Sequence, residues 1–238
     1  MYNNDFNKYA KQHLGLHDKM IDGYQNIRAE LPMVPHMSVT PSIIEERPMN
    51  MAVMSVFDRL MMDRTLWVAG PVDDRMAIIV QAQLLYLSDQ DPKKTITMHI
   101  DSPGGSVKAG LSMIDSMELA KPKIQTINTG MAASMGSVLL GAGSPGMRSS
   151  LRHSRTMLHQ SSGGAQGNIQ DARISFEEWE KINKELFMLL GEYSGKSWEQ
   201  VAQDASRDLW LTGDEAVDYG IIDEVIRPEP RETHRLLK

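Results

Sequence analysis

Apolar positions between residues 65 and 129 switch period repeatedly. Thr65–Val68 is a short apolar run, and Asp73–Leu87 carries apolar residues three and four apart. Thr95–Asp101 alternates, Ser106–Leu119 returns to the helical spacing, and Lys123–Thr129 is strand-like again. A period of two buries one face of a strand, whereas 3.6 buries one stripe of a helix. The alternation therefore predicts βαβ units on a mostly parallel sheet, an α/β fold. A long helix is predicted from Asn168 to Tyr193, where Ala172, Phe176, Trp179, Ile182, Leu186 and Leu190 recur three or four apart. Residues 1–31 carry a helical pattern of their own, which Pro32 and Pro35 break.

Four short segments bring candidate chemistry into this pattern. Gly130-Met131-Ala132-Ala133-Ser134-Met135 sets a serine at a sharp junction between the strand Lys123–Thr129 and a helix predicted over Ser134–Leu140. A serine hydroxyl is a weak nucleophile unless a base removes its proton and donors stabilise the resulting oxyanion. The helix start meets the second need, because the Met135 N–H has no intrahelical partner and the helix end is partly positive. An isolated Ala-Ala-Ser also serves plain close packing of a helix on a sheet.

Downstream, Arg155–Gln160 reads as a short apolar strand ending in His159 and followed by Ser161-Ser162-Gly163-Gly164. Such a histidine can act as a base or simply fill a structural hydrogen-bonding role. Asp208 precedes the apolar Leu209-Trp210-Leu211, and Thr212 suits the cap of a helix starting at Gly213. A carboxylate there can orient an imidazole and stabilise its protonated form. Finally, Ile100-Asp101-Ser102-Pro103-Gly104-Gly105-Ser106 marks a tight turn after a strand, with Ser106 placed to cap a helix running from Val107 to Ala120. Glycine lets a backbone N–H approach a ligand closely, although an ordinary strand-turn-helix link looks the same.

Taken together, these segments resemble the caseinolytic Clp peptidase family, ClpP. The resemblance spans Val39 to Ile226 and rests on Ser-Pro-Gly-Gly, Gly-x-Ala-Ala-Ser-Met-Gly, His-Gln, Gly-Gly-x-Gln-Gly, and Arg-Asp before a helix ending in Tyr-Gly-Ile-Ile-Asp. It implies a β-α superhelix shared with crotonases, with the Asn168–Tyr193 helix projecting as a handle. It also implies Ser134 as nucleophile, His159 as general base and Asp208 as its orienting partner, with oxyanion donors at Gly105 and Met135. Gly104, Ser106, Gln160 and Ser161 are implied as substrate-binding positions, an extended substrate pairing as a strand along both segments. The implied assembly is a homo-tetradecamer of two heptameric rings, fed with unfolded protein by a hexameric AAA+ unfoldase of the ClpX, ClpA or ClpC type. Residues 1–36 are read as an N-terminal extension or propeptide, 37–228 as the peptidase domain and 229–238 as a flexible tail.

Some positions depart from the family pattern. Asp101 stands where asparagine is common, Ser161 where proline is common, and Asn168 where glutamine is common. Thr97 and His99 replace residues usually aromatic in the pocket that receives the unfoldase loops, so an altered ATPase contact is expected, or a second paralogue working in mixed rings. Three other readings use the same features: a structural ring subunit lacking activity, a Ser-Lys signal-peptide-peptidase-like enzyme, and a crotonase-type acyl-CoA enzyme without a serine nucleophile. A plain binding module is the fourth.

Composition narrows the classes further. The net charge of −6, with no Lys/Arg cluster, gives no footprint for nucleic acid. Cysteine is absent, which excludes disulfides, a thiol nucleophile and thiolate zinc sites, and fits a reducing cytoplasm. Apolar runs fall short of the roughly 18–20 residues of a membrane span, and the N-terminus has no basic-then-apolar leader pattern. His13 and His17, four apart, have no third ligand nearby, and no phosphate-loop motif occurs, so neither cofactor nor nucleotide is expected. The eighteen methionines are read as adaptable core filling.

Overall fold

The computed structural model describes residues 42–47, 50–163 and 168–228. The predicted N-terminal extension with His13 and His17, the tail 229–238 and residues 164–167 of the Gly-Gly-x-Gln-Gly motif lie outside them. One compact unit runs from Ile44 to Lys238, and of the other, Met1–Ile43, only Ser42 and Ile43 are described.

The alternation appears as predicted, with ends shifted by a few residues. β1 (Ser42–Arg47) and β2 (Asn50–Ser55) form a two-stranded sheet. Then come α1 (Val56–Met62), β3 (Thr65–Ala69), α2 (Asp74–Gln90), β4 (Ile96–Ser102), α3 (Val107–Leu119), β5 (Ile124–Ala133), α4 (Met135–Gly141), β6 (Arg148–Leu151) and β7 (Arg155–Leu158). The chain continues with α5 (Ile169–Ser194), α6 (Trp198–Asp204), β8 (Leu209–Leu211), α7 (Gly213–Tyr219) and β9 (Glu224–Ile226). Polar side chains start the helices where the sequence places them. Asp73, Ser106, Asn168 and Thr212 each accept a hydrogen bond from the N–H three residues on, and Thr212 and Glu215 close a reciprocal capping box.

β5 is the axis of the main sheet. It runs parallel to β4 along one edge, and along the other it pairs first with β6 and then with β7. β3 and β9 extend the sheet, and β8 joins β7 antiparallel. β5 reaches Ala133, four residues past the predicted end, because a bulge carries it through the glycine. Ile100 pairs with Asn128 but Ser102 pairs with Ala132, so residues 129–131 face Asp101 alone. The Asp101 carboxylate accepts the Met131 N–H at 3.0 Å and fixes that bulge.

Burial follows the periods. Ile96, Met98 and Ile100 of β4 are buried at every second position, while Ala77, Val80, Leu84 and Leu87 of α2 and Met113, Ile114 and Met117 of α3 are buried at helical spacing. α4 is buried at all seven positions. Its Met135 side chain lies over Gly110 of α3, where an added Cβ would collide with the methionine Sδ and Cε.

Two arginines tie remote segments together. The nearly buried Arg64 donates from Nε and both terminal nitrogens to the carbonyls of Thr95, Leu87 and Asp91, closing the C-terminal end of α2 with a cation where the helix dipole is negative. Arg148 grips Asp223 with two side-chain hydrogen bonds (2.6 and 3.0 Å) and reaches the Tyr193 carbonyl at 2.7 Å. Burial raises the Asp223 carboxyl, but the hydrogen bonds and charge of Arg148 together outweigh this and hold it below the ordinary aspartate value. A depressed carboxylate stabilises the fold above its unfolded-state value and loses that contribution as pH falls through the folded-state value. Asp223→Asn is expected to cost about 2 kcal/mol at neutral pH and to flatten the acid limb of a thermal-unfolding series. An unchanged acid limb would contradict this account of the pair.

Candidate active site

β5 delivers Ser134 to the head of α4 in a strained backbone conformation, φ 53° and ψ −124°. Arg64 is the other non-glycine residue with positive φ among the described residues. Such geometry costs about 1–3 kcal/mol and persists where the surroundings over-determine it. Here the Ser134 N–H donates to the Met157 carbonyl at 2.9 Å, and the Ser134 carbonyl accepts from the Ser137 N–H (2.9 Å) and hydroxyl (2.7 Å). Ser134 sits at the N-cap of α4, yet its hydroxyl caps no N–H. The helix thus leaves the oxygen available.

Strand register brings the other two groups to it. Ala133 of β5 pairs in parallel with Met157 of β7, so Ser134 and His159 emerge from the same end of adjacent strands. β7 and β8 pair antiparallel as Thr156 with Leu211, Met157 with Trp210 and Leu158 with Leu209. One step further along this register lie His159 and Asp208. Their Nδ1 and Oδ1 are 3.5 Å apart, and the histidine is the better covered, with 24% of its side chain exposed against 62% for the aspartate. The contact is longer than the roughly 2.7–2.9 Å of a tight charge-assisted bond. Among the described residues, no hydrogen bond joins Ser134 to His159, an arrangement common before substrate tightens a site.

The glycine turn abuts this elbow. A Cβ on Gly104 would come within 2.6 Å of the Ser134 Cβ and 3.0 Å of the Met135 nitrogen. Gly104 and Gly105 have φ of +91° and +150°, and a Cβ on Gly105 would strike the Val72 backbone, so both positions require glycine. Val72 brackets the turn, donating to the Gly104 carbonyl and accepting from the Ser106 N–H, both at 2.8 Å. Two N–H groups near Ser134, those of Gly105 and Met135, have no hydrogen-bond partner among the described residues. Backbone donors held rigid beside a nucleophile are the ingredients of an oxyanion hole.

The family model described as Clp protease matches residues 48–229. The chain belongs to the Clp protease family. A protein of Porphyromonas gingivalis named "ATP-dependent Clp protease proteolytic subunit" is 46% identical over 94% of this chain and 97% of its own length. Two proteins of that name from Bacteroides fragilis strains are 47% identical over 93% of this chain and 98% of the relative, and 50% identical over 79% and 91%. Membership makes proteolysis the activity of the chain.

Within this Clp protease family member, several predicted substrate positions prove to be spoken for internally. The Gly104 N–H donates to Ser102 Oγ and its carbonyl accepts from Val72. Ser106 donates its N–H to the Val72 carbonyl, its own carbonyl accepts from the Gly110 N–H and its hydroxyl oxygen accepts from the Ala109 N–H. The Gly105 N–H is the one backbone donor of residues 104–106 without a partner among the described residues. The Gln160 N–H donates to the Ala205 carbonyl, and Ser161 is bound to α5 through Asn183 and Trp179. Asn183 is flagged by neither motif nor spacing, and Trp179 enters only as an apolar position in the helical period of α5.

Met135 is 2% exposed, so shape matters there more than identity. Met135→Leu is expected to retain kcat/KM within about threefold because the volume is conserved, whereas Gly105→Ala should lose about 100-fold or more by displacing a donor. Steady-state peptidase assays on both variants test this, and equal losses would contradict the assignment. Ser134→Gly should also be about 1 kcal/mol more stable than Ser134→Ala, because glycine relieves the positive φ. The reverse order in thermal unfolding would deny the strain.

Proposed function

We propose that the chain is a serine endopeptidase in which Ser134, His159 and Asp208 form the catalytic triad. The observation that carries the reading is the register of β5, β7 and β8, which sets these three residues at one end of three neighbouring strands. In the forward step Ser134 Oγ attacks the peptide carbonyl while His159 takes its proton. The oxyanion receives the Gly105 and Met135 N–H groups. His159 then protonates the departing amine, and water, activated by the same imidazole, releases the acyl group from Ser134. Asp208 keeps the imidazole oriented and balances its charge.

Exposed apolar surface supports the proposed assembly. Burial on α5 is confined to Leu186, Phe187, Leu190 and Gly191, while Ile169, Ile174 and Phe176 nearer its start are 89%, 64% and 53% exposed. Ile78 and Leu85 of α2 and Leu119 of α3 are 66%, 74% and 83% exposed. Exposed apolar side chains grouped along helices suit a contact with another subunit. Two stacked heptameric rings, in contact through α5 and enclosing the active sites, would cover it. Unfolded chains would enter from a hexameric AAA+ unfoldase, consistent with relatives named as ATP-dependent and with the missing phosphate loop here. Among the described residues no helix is long and apolar enough to cross a membrane, and a cytoplasmic site of action is part of this proposal.

The unfoldase contact has an unusual surface. His99 stacks on Trp67 with ring centroids 4.7 Å apart, Phe57 meets Trp67 edge-on, and Thr97 bonds to Gln125. Burial pushes the His99 imidazole below its ordinary value and so keeps it neutral. His99→Tyr is expected to lower by about threefold or more the unfoldase concentration needed for half-maximal activation, read with a purified Clp unfoldase. No change would remove this surface from the account.

Intact mass after exposure to a fluorophosphonate, with native mass on the same sample, tests the whole reading. One adduct per subunit in the wild type and none in Ser134→Ala, on a particle of fourteen subunits, is the expected result. An assembled particle that takes no adduct would instead favour a structural ring subunit.

A further inference from the structure

Among the described residues, the segment just past His159 pairs with no strand, since β7 ends at Leu158. It is nevertheless held in place by one face of α5. Ser161 donates both its N–H (2.9 Å) and its hydroxyl (3.0 Å) to Asn183 Oδ1, and accepts the Trp179 indole N–H on Oγ at 2.7 Å. Trp179 and Asn183 are four residues apart on the helix and therefore share a face. Two residues on, the indole ring lies close to Gly163, where an added Cβ would sit 2.7 Å from two ring carbons. Phe176 stacks with the same indole system, centroids 6.1 Å apart. Residues 161–163 are thus fixed at both ends by two side chains from an element that contributes nothing to the triad.

We propose that Asn183 and Trp179 are positioning residues that hold residues 161–163 as a preformed edge on which an extended peptide substrate pairs. The inference rests on the serine-endopeptidase reading above. In an extended segment successive N–H groups point to opposite sides. With the Ser161 N–H turned to α5, an extended run would turn the backbone groups of Ser162 away from it, and Ser162 and Gly163 are exposed. A free glycine-containing loop would have to be ordered each time a substrate bound, whereas a pinned one is ordered in advance, so the gain appears in binding. Ser161 itself then serves as the anchor, its N–H and hydroxyl both consumed by Asn183 and Trp179, and Ser162 offers the backbone groups to the substrate. Recognition through main-chain groups also suits an enzyme whose substrates share no sequence.

The test compares Asn183→Leu, Asn183→Asp and Ser161→Ala with the wild type in the full-length assembled protein, particle size being confirmed by native mass. Two readouts are taken: steady-state cleavage of a fluorogenic hexapeptide, and the rate at which a small fluorophosphonate labels Ser134, which needs no peptide edge. Asn183→Leu is expected to raise KM about tenfold while kcat and the labelling rate stay within about twofold, the pattern of lost uniform binding. Asn183→Asp keeps an acceptor for Ser161 and should restore KM to within about twofold of the wild type. Ser161→Ala, which cannot disturb α5 by its size, should raise KM about threefold, so the inference stays testable if Asn183→Leu fails to assemble. An unchanged KM in Asn183→Leu or Ser161→Ala overturns the proposal, and so does a labelling rate that falls in step with peptide cleavage. A wild-type protein that takes no label at Ser134 defeats the endopeptidase reading itself, a different result from either.

Discussion

The pairing of Ala133 with Met157 is the constraint on which the rest of the site depends. It sets the relative height of β5 and β7, and through the Ser134 N–H bond to Met157 it reaches into the elbow itself. A slip of one residue would turn every side chain of β7 to the other face. His159 would then leave the Ser134 end of the sheet, and the β7–β8 register would no longer lead to Asp208. The site is thus a property of sheet register before it is a property of any one side chain. The bulge that lets β5 run on past Gly130, with Asp101 bonded to Met131, is what brings Ala133 to that height.

Strain and support are distributed unevenly around Ser134. The elbow is held by hydrogen bonds from β7 and from α4, and α4 is buried on every side. The glycine turn is held by Val72 and by Ser102, whose hydroxyl also donates to the Gly70 carbonyl. By contrast, the His159–Asp208 contact is long and open to solvent on the aspartate side. In the proposed site the nucleophile and oxyanion donors are therefore preorganised, and the proposed acid–base pair is the element left to tighten on binding or assembly.

Much of this was legible in the sequence where local chemistry decides the outcome. Period changes gave the βαβ order and the helices starting near Asp73 and Asn168, and Ser106 and Thr212 announced helix starts because capping needs only three residues. β6 was not legible: Arg148, Ser149 and Ser150 look like a loop but are buried in the sheet, their polar groups answered by Asp223, Thr126 and the Leu151 carbonyl. The short α1, α6 and β9 span too few residues to show a period. The reach of β5 was missed because Gly130 reads as a turn, and only the pairing partner reveals a bulge. His159 and Asp208 lie 49 residues apart, so no spacing joins them; resemblance suggested the pair and register places it. The bonds from Ser161 to Trp179 and Asn183 are of the same kind, long in sequence and short in space.

A structure of the fluorophosphonate-treated protein tests the central claim most directly. The account predicts phosphorus bonded to Ser134 Oγ, its phosphoryl oxygen within hydrogen-bonding distance of the Gly105 and Met135 N–H groups, and His159 drawn to Asp208 with the β5–β7 register unchanged. An adduct whose oxygen faces away from both N–H groups, or a histidine reaching Ser134 only after β7 has shifted register, would contradict it.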